Sequence, residues 1–254
     1  MRKATVLVLL ALTVAATASS QVTVNVLYRV LRIRYGGVAS SAFTIDYLGK
    51  QYLVTARHSV QGLESQGTIE LWRNGRWESL EVSAIYPDNS VVDAVALLPK
   101  KPLTVDYPLS PTMGELQMAQ QVYFLGYPSG LATVGRIPAP PGFGELPFIK
   151  SGIVSALDTR DESAIIIYID GHNNPGFSGG PIVFRAGGTG DFHVAGVVQG
   201  YRNEALPVLK RKDLGKPKAS AYKDLYTRAN SGIVVGYSIK HITDAIENAT
   251  NPVP

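Results

Sequence analysis

The chain contains no cysteine. That absence excludes disulfide bridges, thiolate-held zinc, a cysteine nucleophile and a lipid-modified N-terminal cysteine. Charge is scarce too, at 17% of residues, with 24 basic side chains against 20 acidic ones. Setting aside Arg2 and Lys3 leaves 22 against 20, too slight a surplus to recruit nucleic acid. Only Val6 to Ala16 forms a sustained apolar run, well short of the roughly 20 residues that span a bilayer. The four histidines, His58, His172, His193 and His241, share no metal-ligand spacing, so neither a metal nor a cofactor is expected.

What is present begins with Met1-Arg2-Lys3, the apolar run and Ala16-Thr17-Ala18. A basic start, a short apolar stretch and a small-x-small site predict a signal peptide over 1–18, cut after Ala18. Residues 19–254 are then expected to be exported, secreted or periplasmic, without a stable membrane anchor. Their 45% hydrophobic content suits a globular domain with a sizeable core. Lys210, Arg211, Lys212, Lys216, Lys218 and Lys223 gather in one stretch, read here as a solvated loop.

The rest of the chain is written in short strands. Val22 to Ile33 is rich in Val, Leu, Tyr and Ile, and Leu48-Gly49-Lys50 separates two further apolar segments. Asn74-Gly75 is the favoured two-residue hairpin turn, flanked by Trp72 and Trp77 as cross-strand partners. Prolines at 99, 102, 108 and 111 mark a link, dividing the chain into 19–110 and 111–254. The second part continues with strand patterns at 121–126, 148–154, 164–169, 181–184, 192–199 and 232–236, and a Gly/Pro-rich loop at 135–144. Helical spacing occurs only near the end, where Ser238 precedes Ile239, Ile242 and Ile246. Together these predict an all-β protein, a sandwich or a pair of barrels, with a C-terminal α-helix.

Chemistry concentrates at Asn174-Pro175-Gly176-Phe177-Ser178-Gly179-Gly180-Pro181. Glycines permit backbone angles that other residues resist, so such a turn exposes a serine hydroxyl beside main-chain N–H groups. A nucleophile next to oxyanion donors is what acyl transfer requires. His58 comes directly off a strand in Leu53-Val54-Thr55-Ala56-Arg57-His58, where a rigid element can aim the ring. Asp93 opens the apolar run Asp93-Ala94-Val95-Ala96-Leu97-Leu98, a place where a carboxylate needs a partner. Asp88 is read as a turn residue, as is Asp170, although its nearness to Ser178 keeps it in play; His193 and His241 are read as packing or surface residues.

The order His58, Asp93, Ser178 matches one of the three known chain orders for a Ser-His-Asp triad. With Thr55-Ala56-Arg57-His58, Asp93-Ala94-Val95-Ala96-Leu97-Leu98 and Gly176-Phe177-Ser178-Gly179-Gly180-Pro181, the chain resembles the chymotrypsin/trypsin-like serine peptidases, nearest the bacterial HtrA-like branch. The resemblance implies two six-stranded antiparallel β-barrels with the site between them. It implies His58 as base, Asp93 as its orienting acid, Ser178 as nucleophile, and the Gly176 and Ser178 N–H groups as oxyanion hole. It also implies a polypeptide substrate, with His172, Gln199, Gly200 and Tyr201 around the specificity pocket.

Two departures carry meaning. Pancreatic relatives place an acid before the serine to receive a freed N-terminus; Phe177 cannot do this, so activation by that route is not expected. Position 172 is His rather than an acid, so a preference for Arg or Lys is not supported. HtrA members add a PDZ domain, for which only a helix and a few residues remain here. A silent binding module of the same fold and an esterase-like hydrolase stay open as alternatives.

Overall fold

A computed structural model describes residues 22–105, 108–133, 145–188, 190–209 and 221–251. The 1–18 leader, the 135–144 loop and the basic residues from Lys210 to Lys218 lie outside the described residues, as does the side chain of Lys223. None of the helices among the described residues is long and apolar enough to cross a membrane.

Six strands close into an antiparallel barrel: β1 (Val30–Tyr35), β2 (Val38–Tyr47), β3 (Lys50–Thr55), β4 (Gln66–Arg73), β5 (Arg76–Ile85) and β6 (Val95–Pro99), in the order β1-β2-β3-β6-β5-β4. Period-two patterning explains the closure. Leu31 and Ile33, Ile69 and Leu71, and Val95 and Leu97 all point inward and are buried. Both predicted hairpins form with the left-handed turn residues they require: Leu48 and Gly49 at φ 46° and 74°, Asn74 and Gly75 at φ 54° and 76°. Trp72 pairs with Trp77, edge to face, with ring centres 5.1 Å apart.

The second half is built from β7 (Ser110–Pro111), β8 (Gln121–Gly126), β9 (Phe148–Asp158), β10 (Ile166–Asp170), β11 (Pro181–Arg185), β12 (Phe192–Leu209) and β13 (Ala221–Ser238). They form one seven-stranded sheet in the order β11-β8-β9-β10-β13-β12-β7. β11 also pairs with β12, so the sheet curls back on itself, but it is not the plain six-stranded counterpart of the first barrel. The link segment supplies the extra strand, since Ser110 and Pro111 pair in parallel with His193 and Val194.

Two differences from the sequence pattern have simple causes. Val24–Leu27 forms a short helix, α1, and the strand begins only at Val30; Val26 and Leu27 are buried in a four-residue run that suits either element, so composition alone could not separate the two. β12 and β13 run eighteen residues each, far beyond their apolar portions, because their outer halves are exposed and carry no core-facing signal.

The C-terminal helix α2 (Lys240–Thr250) docks through Ile242 and Ile246, with Ile239 just ahead of it, all fully buried. Ser238 accepts the Lys240 N–H at 3.1 Å, one residue earlier than the Ile239 that stands at the helix cap. Buried His241 accepts the Ile165 N–H on its Nε2 at 2.8 Å, which ties the helix to the loop before β10. Burial pushes this imidazole below its usual range, against the opposing pull of Asp244 and Asp161. Between the lowered folded value and the ordinary one, the unfolded chain binds more protons, so stability falls as pH drops. The thermal midpoint should therefore fall by about 2–5 °C more in the wild type than in His241→Asn between pH 7.5 and 5. Parallel melting curves for the two across that range would refute the assignment.

Candidate functional site

His58 stands on the single 3-10 turn Arg57–Val60 that directly follows β3. Asp93 lies in the short approach to β6, the neighbour of β3 in the barrel. Because β3 and β6 are paired, the two side chains meet. Asp93 Oδ2 lies 2.5 Å from His58 Nδ1, and Oδ1 accepts the His58 main-chain N–H at 2.8 Å. One carboxylate thus grips both the ring and its backbone. Asp93 is 16% exposed and His58 48%, so the acid is screened while the far edge of the ring faces solvent. A cleft of about 590 Å³ opens beside them, bordered by Arg57, Gln61, Tyr86 and Ser90, with Arg57 stacked over Tyr86.

Ser178 sits on the turn between β10 and β11, and this turn is pinned peptide by peptide. A peptide is planar, so fixing its C=O aims its N–H the opposite way. The Pro175 C=O accepts the Ser129 N–H at 2.8 Å, which turns the Gly176 N–H outward. The Phe177 C=O accepts the Gly180 N–H at 2.9 Å, which does the same for the Ser178 N–H. Neither the Gly176 nor the Ser178 N–H donates to any group among the described residues. The Gly176 C=O is held by the Ser41 hydroxyl at 2.6 Å, and the Ser178 C=O by the Ser41 N–H at 3.1 Å.

The glycines are required by this packing. A Cβ on Gly176, at φ +101°, would lie 2.4 Å from the Tyr127 carbonyl; one on Gly179 would lie 2.2 Å from the Ser41 carbonyl and 2.8 Å from the Ala56 nitrogen. Gly179 therefore presses the serine turn against the Thr55-Ala56 segment, two residues before His58. Phe177 is fully buried, its ring 5.5 Å from that of Phe124, edge to face. An apolar anchor thus holds this turn.

The Ser178 hydroxyl donates to the Gln199 carbonyl at 3.0 Å, not to His58. So the predicted residues come together as a bonded His58–Asp93 pair and a serine turn packed beside it, without a Ser178–His58 hydrogen bond among the described residues. Gln199, Gly200 and Tyr201 follow one another on β12, and of the three it is Gln199 that meets the hydroxyl. His172 is exposed, and its carbonyl accepts from Lys150 Nζ at 2.6 Å. Lys150 Nζ also donates to Asn174 and lies 5.4 Å from the Phe177 ring; burial lowers its ammonium pKa. His193 packs against Phe184 and His241 binds Ile165, both remote in role from Ser178.

Ser41 went unnoticed in the sequence. Nothing about a serine within a strand pattern betrays it, since its partners lie 86 and 135 residues away at Tyr127 and Gly176. It is fully buried, donating to Gly176 and accepting the Tyr127 N–H at 2.9 Å.

The trypsin-like peptidase domain family matches residues 40–189. Among solved structures, the chain is similar to the Ser343Ala mutant of Rv3671c from M. tuberculosis H37Rv in its inactive form: 18% identity, 89% of each chain covered, TM-score 0.53. It is similar to the HtrA-type protease AlgWS227A with tripeptide, at 18% identity and TM-score 0.55, covering 90% of this chain and 62% of that one. It is also similar to the serine endoprotease from Yersinia pestis, at 16% identity and TM-score 0.53, covering 88% and 63%. No curated protein sequence matches.

Removing the Ser41 hydroxyl leaves a buried C=O and a buried N–H unpaired. Ser41→Ala should therefore destabilise the fold by about 1–3 kcal/mol, read from the urea midpoint. An unchanged midpoint would show that water or a shifted neighbour takes over both bonds.

Proposed function

Because the chain belongs to the trypsin-like peptidase family, we propose that it is a secreted or periplasmic serine endopeptidase that works through His58, Asp93 and Ser178. The observation that carries this reading is the arrangement around Ala56: the His58–Asp93 pair at 2.5 Å on one side, and Ser178 with two outward N–H groups on the other. The similar solved structures are proteases by description, and the curled second sheet answers to the second barrel of the family. Export rests on the leader pattern at 1–18.

In this mechanism the substrate strand approaches along β12, and the N–H of the residue bearing the scissile carbonyl takes over the Gln199 carbonyl. The Ser178 hydroxyl is released from that carbonyl, and rotation between staggered side-chain positions turns it toward the imidazole. Ser178 Oγ attacks the carbonyl carbon while His58 Nε2 accepts its proton. The charge on the carbonyl oxygen is met by the Gly176 and Ser178 N–H groups, a contribution of about 3 kcal/mol per donor. The C–N bond then breaks as His58 returns the proton to the departing amine, leaving an acyl-enzyme. Water, deprotonated by His58, hydrolyses the ester and restores Ser178. Asp93 stays ionised and keeps the Nδ1–H tautomer in place.

The direct test is labelling with a fluorophosphonate probe followed by peptide mapping. The tag should fall on Ser178, labelling should slow greatly in His58→Ala, and Ser178→Ala should lose on the order of 10⁴-fold or more in kcat on a peptide substrate with its melting temperature kept. Undiminished peptide hydrolysis by Ser178→Ala would remove Ser178 from the mechanism.

A further inference from the structure

The chain reaches the serine turn through Gly171 to Asn174, and this approach is held from outside at a few points. The Gly171 N–H donates to the Gly232 carbonyl at 2.8 Å, and the Asn173 carbonyl accepts from Asn230 Nδ2 at 2.7 Å. Past Asn173 the bonds become local. The Asn174 N–H turns back to Asn173 Oδ1 at 2.8 Å, and its carbonyl accepts the Phe177 N–H at 3.3 Å. Pro175 has no N–H to be gripped. Among the described residues, the grip on Asn174 from another element is Lys150 of β9, whose Nζ donates to Asn174 Oδ1.

The same ammonium donates to the His172 carbonyl at 2.6 Å and lies 5.4 Å from the centre of the Phe177 ring. Positions 172, 174 and 177 bracket the Pro175–Gly176 peptide, whose N–H is one of the two outward donors. Ser129 fixes the carbonyl of that peptide at 2.8 Å, while Asn174 fixes where Pro175, and with it the whole plane, sits. Lys150 is itself well placed to hold. It pairs with Phe124 in the ladder of β8 and β9, and Phe124 is the ring that meets Phe177.

We propose that Lys150 is a positioning residue: its cation, by holding His172 and Asn174, sets the aim of the Gly176 N–H, and loss of the charge slackens the oxyanion hole. The inference rests on the peptidase reading of Ser178 and adds a proton-dependent control to that site. A neutral amine still donates, but it forfeits the charge that makes such bonds about twice as strong, and the attraction to the Phe177 ring. Burial already holds this ammonium below the ordinary lysine range. The titratable side chains on the surrounding elements are Tyr123 of β8, Asp170 at the end of β10 and His172. Tyr123 turns to the other face, against Phe192, and among the described residues no carboxylate pairs with Lys150 to restore its proton affinity. As pH rises the cation is therefore lost early. kcat falls with it, while KM, set before charge develops on the carbonyl oxygen, holds.

The test follows kcat and KM of the full chain on a chromogenic peptide anilide from roughly pH 7 to 11. Lys150→Met keeps the stem and removes the charge. It should lose about ten- to hundredfold in kcat with KM within about twofold, a donor being mis-aimed rather than deleted, and its profile should lack the wild type's alkaline fall. Because the chain has no cysteine, Lys150→Cys treated with 2-bromoethylamine regains an ammonium at this one position. Most of kcat should return, with the alkaline fall at lower pH than in the wild type, since the thioether makes the ammonium more acidic. Asn174→Asp, which sets a carboxylate against the cation, should move the fall to higher pH. If Lys150→Met lowers the melting temperature but keeps kcat and the alkaline fall, the role is structural only; the inference is overturned and the peptidase reading stands. If that variant fails to fold, Asn174→Asp decides, and an unmoved fall overturns the proposal. No wild-type turnover and no fluorophosphonate label would defeat the peptidase reading, and this inference with it.

Discussion

The planarity of four consecutive peptides, each gripped at one end, is the constraint on which the site depends. Pro175, Gly176, Phe177 and Ser178 each have their carbonyl held, by Ser129, Ser41, Gly180 and Ser41 again. With the carbonyls taken, the Gly176 and Ser178 N–H groups have nowhere to point except outward. The directions of these two N–H groups are thus fixed before any ligand arrives. Close packing enforces this, because the glycines at 176, 179 and 180 leave no room even for a methyl group.

The grips come from both halves of the chain. Ser41 belongs to β2 of the first barrel, yet it holds a turn of the second sheet; Thr55 of β3 donates back to the Ser41 carbonyl at 2.7 Å. His58 leaves the end of that same β3. The strand that positions the ring therefore also braces the residue that positions the serine turn, and a shift in one is transmitted to the other. Phe177 completes the support from the far side, sinking into a core of Phe124, Ile182, Val198 and Val234. Hydrophobic burial there does the work that a buried ion pair would do only with full desolvation of both charges.

Glycine and proline punctuation told in advance where the chain turns, and a histidine and an aspartate at strand ends showed where a pair could form. The two hairpin turns, the inward residues of the first barrel and the terminal isoleucines follow from local pattern, since each depends on neighbours a few positions away. Other features gave no such signal. Val24–Leu27 is helical although its composition suits a strand. The outer reach of β12 and β13 lacks alternation because it buries nothing. The seventh strand of the second sheet is two residues long, too short to register as a pattern.

By itself the sequence determined the all-β class, the candidate residues for acyl chemistry, and the glycines without which the Ser178 turn could not be made. These are properties of single side chains and of spacing over one strand. Only the tertiary structure decided that Asp93 holds His58 by ring and backbone together, that the Ser178 hydroxyl rests on Gln199, and that Ser41 joins the halves. Those outcomes hang on hydrogen bonds between residues up to 135 apart, whose directions exist only after both sheets have closed and their polar groups have lost water as a partner.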